Sequence, residues 1–208
     1  MIIQAVVKRA PLLLLLSLSL IGCVVSQGKP VPKFPAGCPP ECAGADLSQT
    51  DMTGLDLEHA RLREANLQGA NLTNANLSRA DLRNANLEGA ILKGANLDRA
   101  DLREANLKAA DLTESWPQRA NIQSADLTGA ILNEASLTNS DLSEARLISA
   151  KLIDADLSQA TLDGADLSNA DLTGADLNGS SLRNANLAGA IYRESALQGV
   201  DTRGATLK

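Results

Sequence analysis

Residues 78–87, SRADLRNANL, return almost unchanged 20 residues later as DRADLREANL at residues 98–107. Each stretch holds two copies of a shorter unit: alanine, aspartate or asparagine, leucine, and two further residues. This five-residue unit continues over residues 45–208 without insertion or deletion, and leucine fills 28 of its 33 central positions. So short and regular a repeat predicts a solenoid rather than a globular core.

The five-residue period fits neither a helix nor a flat strand. A helix would spread the leucines around its circumference, and a strand would alternate them between two faces. A chain that turns a corner every five residues instead points each leucine, and the alanine two places before it, inward. The 20-residue repeat predicts four sides per coil, because residues stacked in successive coils interact. The 33 units then form about eight coils.

The A-[DN]-L-x-x pattern of residues 45–208 resembles the pentapeptide-repeat family. This resemblance implies an all-β fold, a right-handed quadrilateral β-helix, over that range. Relatives often begin with a cysteine pair just before the first repeat, which implies a disulfide between Cys38 and Cys42. A zinc site is the alternative, and it would need further ligands, of which only His59 and Cys23 remain.

Residues 1–22 have the features of a secretory signal peptide. Lys8 and Arg9 precede an apolar run, residues 12–21, that is too short to span a bilayer. The sequence LIGC, residues 20–23, resembles the bacterial lipobox, which implies cleavage before Cys23 and attachment of a lipid to its sulfur. Cleavage by the ordinary signal peptidase and an uncleaved anchor are the alternatives, although no A-x-A-like site is present.

Residues 23–44 are predicted to form an extended tether between the lipid and the solenoid, because they hold five of the seven prolines. Val24 resembles the residue that follows the lipidated cysteine in outer-membrane lipoproteins. The predicted location is therefore the cell envelope, on the periplasmic side of the outer membrane. Without its signal the chain carries 17 basic and 25 acidic residues, which argues against general nucleic-acid binding.

No catalytic site, metal site or cofactor is predicted. Aspartate or asparagine precedes the central position in 21 of the 33 units, which makes an outward ladder of equivalent groups. Glycosidase chemistry needs two particular carboxylates in different environments within a cleft. His59, the only histidine, falls at an outward corner without a second ligand and is predicted to be a surface residue.

The stretch SWPQR, residues 115–119, departs from the pattern but keeps its register, and Pro117 has no N–H to donate to a ladder. A 20-residue coil stacks arginines around the corner beside Trp116, which is a common kind of binding anchor. The candidate interaction surface consists of Trp116, Arg79, Arg83, Arg99, Arg103 and Arg119. The alternative is a solvated, salt-bridged face, because acidic residues are interleaved among these arginines.

The predicted function is a non-enzymatic, membrane-tethered scaffold that presents a rigid surface to a protein or another envelope component. The C-terminal edge is the candidate site of homodimerisation. Resemblance implies a second function, since some relatives shield DNA gyrase by mimicking DNA, and residues 152–182 hold six aspartates without a lysine or arginine. Export argues against it, because gyrase is cytoplasmic; cation binding or solubility also fits these aspartates. An envelope hydrolase is the third alternative and requires a cleft.

Overall fold

Residues that stand 20 positions apart form parallel β-bridges along the solenoid, from Glu41–Arg61 to Asn186–Thr206. The computed structural model describes residues 37–207; the predicted signal peptide and Cys23 lie outside them. Each coil therefore holds four pentapeptides. Within the described residues the bridges are isolated rather than part of longer strands, and the one helix is a 3-10 helix, Glu194–Leu197.

Outside the coil of Pro117 and the helix Glu194–Leu197, the pentapeptides share one pattern of backbone hydrogen bonds. The central Leu87 donates its N–H to the next coil, to the Asn106 carbonyl at 2.7 Å, and Asn86 donates to the previous coil, to the Ala65 carbonyl at 2.9 Å. The turn closes with a bond from the Ala90 N–H to the Leu87 carbonyl at 3.0 Å. The ladder thus joins each coil to both of its neighbours.

The central and small positions form one continuous apolar core, as the periodicity predicts. Leucines stacked on one side, such as Leu87, Leu107 and Leu127, are at most 1% exposed. Three serines that replace the small alanine are also buried, and each donates its hydroxyl to the carbonyl three residues earlier at 2.6 to 2.7 Å: Ser115, Ser140 and Ser180. These substitutions therefore leave no unsatisfied hydroxyl in the core.

Outside the helix Glu194–Leu197, the corner residue, two places after the central position, has a left-handed backbone. Twenty non-glycine residues at corners have φ between 53° and 60°. β-Branched side chains disfavour this region, and no valine, isoleucine or threonine occupies the position in the repeats. The sequence thus supports a sharp turn after every five residues. His59 occupies one of these corners, with φ 59°.

The ladder begins one pentapeptide earlier than the predicted boundary at residue 45. Glu41 bridges to Arg61, and the Cys42 N–H donates to the Arg61 carbonyl at 2.9 Å. Cys42 is 1% exposed and takes the place of a central leucine, because its side chain is small and apolar. A disulfide joins it to Cys38, with 4.7 Å between the Cα atoms. Glu41 and Cys42 thus belong to the first coil rather than to the tether.

The ladder is interrupted near the C-terminal end. The 20-residue spacing would pair Asp176 with Ala196, but this bridge is absent. The helix Glu194–Leu197 occupies that position instead. A cavity of about 280 Å³ opens beside it, and Leu172, Leu177 and Arg193 are among its lining residues. Pairing resumes at Asp201 in unchanged register. In residues 37–207 no helix has the length and apolar character needed to cross a membrane.

Candidate interaction surface

Trp116 lies on one of the four sides of the solenoid, which we call the tryptophan face. This face is built from one segment in each of coils 1 to 7: residues 56–59, 76–79, 96–99, 116–119, 136–139, 156–159 and 176–179. Trp116 is 54% exposed, and its indole N–H has no hydrogen-bond acceptor within residues 37–207. Its backbone is fixed, since its N–H donates to the Ala95 carbonyl at 2.9 Å and its carbonyl accepts from Leu97 at 3.1 Å.

Pro117 is buried at a central position, and its missing N–H removes the bridge between Trp116 and Ser136. Neighbouring bonds hold the two coils together. Gln118 donates from Nε2 to the Ser136 hydroxyl at 2.9 Å, and the Arg119 N–H keeps its bond to the next coil at 2.9 Å. SWPQR therefore fills one side of a coil, as its register predicts, and the fault is limited to one rung.

A column of three arginines runs along one edge of the tryptophan face, at the equivalent corner of three successive coils: Arg79, Arg99 and Arg119. Arg119 contacts Asp98 Oδ1 through Nε at 2.9 Å and Nη2 at 2.6 Å, whereas Arg99 Nε is 4.0 Å from Asp98 Oδ2. Arg79 makes no ion pair with any residue that the structure describes. Two of the three guanidinium groups thus share the Asp98 carboxylate, and this part of the face keeps a net positive charge.

Arg83 and Arg103 lie on the adjacent side, and each folds onto the aspartate two residues before it. Arg83 Nη2 is 2.5 Å from Asp81 Oδ2, and Arg103 Nη2 is 2.6 Å from Asp101 Oδ2. The hydrogen bond from Arg83 holds the pKa of Asp81 below its ordinary value, although burial acts in the opposite direction. The salt-bridged alternative therefore describes Arg83 and Arg103, whose charges are compensated locally.

The tryptophan face is acidic in coils 6 and 7, where Asp156 and Asp176 stack as a bridged pair. Asp156 Oδ1 accepts from the N–H and the hydroxyl of Ser158 at 3.0 and 2.6 Å. Asp176 Oδ1 accepts from the Asn178 N–H at 2.9 Å. Neither carboxylate pairs with a cation in the part of the chain described, so this end of the face is negative.

The outward aspartates and asparagines have a structural role that the sequence analysis missed. Asn86 Oδ1 accepts a hydrogen bond from the Glu88 N–H at 3.3 Å. This N–H is the one backbone donor of the pentapeptide that has no backbone acceptor in the ladder or the turn. Asn86 Oδ1 also accepts from Asn106 Nδ2 at 3.0 Å, and Asn86 Nδ2 donates to Asn66 Oδ1 at 3.1 Å. The residue type could have indicated this role, because Asp and Asn side chains often accept a hydrogen bond from the backbone N–H two residues later in the chain.

The turn-capping role explains why these acidic groups repeat. They sit in equivalent places, each bonded to its own turn, rather than as a pair with contrasting environments. His59 is exposed, with Nε2 3.6 Å from Glu58 Oε1. Within residues 37–207 no group of His, Cys, Asp and Glu side chains has the arrangement of a metal site.

Stacked 20-residue coils of four pentapeptides define a β-solenoid repeat protein. The family model for pentapeptide repeats matches residues 41–79, 80–115, 120–159, 140–179 and 150–189. The chain belongs to the pentapeptide repeat family, whose fold is a right-handed β-helix. Residues 116–119, which hold Trp116 and Pro117, fall between two of the matched stretches.

Several solved structures resemble this chain. A pentapeptide repeat protein from the Arabidopsis thaliana thylakoid lumen is 30% identical over 50% of this chain and 72% of its own, with a TM-score of 0.49. HetL, involved in heterocyst differentiation regulation in the cyanobacterium Nostoc sp. strain PCC 7120, is 31% identical over 81% and 87%, with a TM-score of 0.27. QnrB1, a plasmid-mediated fluoroquinolone resistance protein, is 20% identical over 81% and 89%, with a TM-score of 0.40. No curated protein matches significantly.

Proposed function

We propose that this protein is a non-enzymatic scaffold that contacts a protein or another envelope component through the tryptophan face. The observation that carries the proposal is Trp116, the only tryptophan of the chain, which stands 54% exposed. A large amphipathic side chain gains most when a partner buries it. The ladder fixes its backbone before contact, so little order has to be gained on binding.

The proposed scaffold is a four-sided right-handed β-helix of about eight coils. Four corners in every 20 residues support the four sides, since the left-handed φ recurs at the corners outside the helix Glu194–Leu197. The uniform turn-capping role of the aspartates supports a function without catalysis. A rigid prism of this kind holds outward side chains at fixed spacing, which suits recognition.

Membrane attachment is part of the proposal and rests on the lipobox-like LIGC sequence that ends at Cys23. The Cys38–Cys42 disulfide is consistent with it, because disulfides persist in oxidising compartments such as the periplasm. A tether between Cys23 and the first coil would hold the solenoid away from the lipid surface.

A gyrase-shielding DNA mimic remains the second candidate. It would use Asp156 and Asp176, which stack without a neighbouring cation among the described residues. The same face turns basic at coils 2 to 4, and the acidic groups Asp81 and Asp101 are compensated by arginines. Such an interrupted charge pattern fits DNA mimicry less well than it fits a specific protein contact. An envelope hydrolase comes third, because the carboxylates of the face cap turns.

Trp116→Ala tests the scaffold proposal. We expect crosslinking in intact cells, followed by affinity capture, to recover at least about fivefold less of the principal partners, because a buried aromatic anchor contributes more than 1 kcal/mol. The matched control is Ile191→Ala, which removes a side chain of similar exposure, 56%, from a different side of the solenoid. Identical partners in identical amounts from a correctly folded Trp116→Ala variant would contradict the proposal.

A further inference from the structure

Charge is segregated along the tryptophan face. Coils 2 to 4 carry the arginine column, with Asp98 as its one short-range acceptor, and coils 6 and 7 carry Asp156 and Asp176. Coil 5, between them, presents the uncharged Ser136, Thr138 and Asn139. Coil 1 carries Asp56 and Glu58 on the same face. From coil 2 to coil 7 the face therefore has a basic half followed by an acidic half.

The two halves are too far apart to neutralise each other within one molecule. Arg99 in coil 3 and Asp156 in coil 6 are separated by three rungs, or roughly 14 Å along the solenoid. Arg99 reaches Asp98 at 4.0 Å only, and Asp156 bonds to its own turn. Both halves thus keep charge that a complementary surface can pair.

We propose that the tryptophan face is a two-fold interface between two copies of this chain. The inference rests on the proposed contact role of Trp116 and names its partner. In an antiparallel pair, the basic half of each copy lies against the acidic half of the other, so the surface is complementary to itself. Other partners of the same surface would have to reproduce this basic and acidic order.

The position of Trp116 supports this arrangement. The arginine column is centred on coil 3 and the aspartate pair between coils 6 and 7, so the midpoint falls between coils 4 and 5. Trp116 lies in coil 4, and both indoles therefore come close to the two-fold axis, where a desolvated aromatic contributes most. Ser136 and Thr138 in coil 5 are small and leave room for the indole of the other copy.

The interface is narrow, which sets its strength. Seven rungs span roughly 30 Å, and the face is one pentapeptide wide, so the buried area lies at the low end for specific complexes. We expect dissociation on the order of micromolar concentrations. Because the pairing is electrostatic and near the surface, added salt weakens it.

Sedimentation equilibrium of the full chain in density-matched non-ionic detergent tests the interface. Arg99→Glu and Asp156→Arg are each expected to weaken dimerisation about tenfold, and the double variant is expected to recover much of the loss. Asp156→Asn keeps the turn-capping oxygen, so its weaker dimer would reflect charge rather than folding. The control, Arg63→Glu, makes the same charge change on the adjacent side, where Arg63 Nε is 3.2 Å from Glu64 Oε1, and leaves the dimer unchanged.

The outcomes separate this inference from the proposed function. A wild-type chain that stays monomeric at every concentration overturns the dimer, as does a double variant that is no better than the single variants. If the chain is monomeric while Trp116→Ala still abolishes capture of another protein, the scaffold proposal stands and the self-contact is wrong. If Trp116→Ala changes neither dimerisation nor capture, both fail.

Discussion

Leu137→Pro is expected to lower the free energy of unfolding by about 3 kcal/mol. The Leu137 N–H donates to the Asp156 carbonyl at 2.7 Å, and proline removes this donor. Leu137 is 0% exposed, and the smaller ring leaves part of its site in the core empty. Because Pro117 occupies the equivalent site one coil earlier, the backbone conformation itself tolerates proline. Chemical denaturation followed by circular dichroism measures the loss.

Pro117→Leu is the matched control for this prediction. It restores a donor to the Ser136 carbonyl and fills a central position, so we expect a small gain in stability of about 1 kcal/mol. Equal stability of the wild-type chain and Leu137→Pro would contradict the ladder at this position. A Pro117→Leu variant that loses stability would mean that the SWPQR coil is built around its proline.

Cys23→Ala is expected to release the protein from the membrane fraction. The lipobox-like sequence places Cys23 at the site of lipid attachment, and a lipid anchor is the feature that the proposal uses for membrane binding. We expect a shift from a largely membrane-bound to a largely soluble protein, together with loss of the lipid mass. Fractionation and intact mass measure both effects.

Cys38→Ser provides the control for fractionation. This change breaks the disulfide to Cys42 but leaves Cys23 intact, so the protein is expected to stay in the membrane fraction. Unchanged mass and membrane binding of Cys23→Ala would show that the chain is not a lipoprotein. The contact role of the tryptophan face does not depend on that result.

The coil register could be predicted from the sequence because burial imposes it. Only a turn every five residues hides both the leucines and the alanines, and the return of SRADLRNANL after 20 residues sets the number of sides. The same logic placed SWPQR within one side of a coil. These features follow from periodicity, and periodicity is visible without coordinates.

Other features depend on neighbours that the periodicity does not specify. Arg83 lies near two carboxylates, those of Asp81 and Asp101, and its rotamer brings it closer to Asp81. The helix Glu194–Leu197 keeps the five-residue count, so the pattern does not reveal it. Cys42 fills a central position, but as a cysteine it does not match the leucine pattern. The five-residue pattern therefore did not predict any of these three features.

The 20-residue coil is the central claim, because it alone brings Trp116, the arginine column and the acidic pair onto one face. Thr161→Cys combined with Ser181→Cys tests it, since these residues form a bridge and stacked positions lie within disulfide reach. Thiol counting after mild oxidation is predicted to show that this pair closes, whereas Thr161→Cys with Asp176→Cys, 15 residues apart, stays reduced. Closure of the second pair with the first remaining free would contradict the 20-residue coil and the tryptophan face with it.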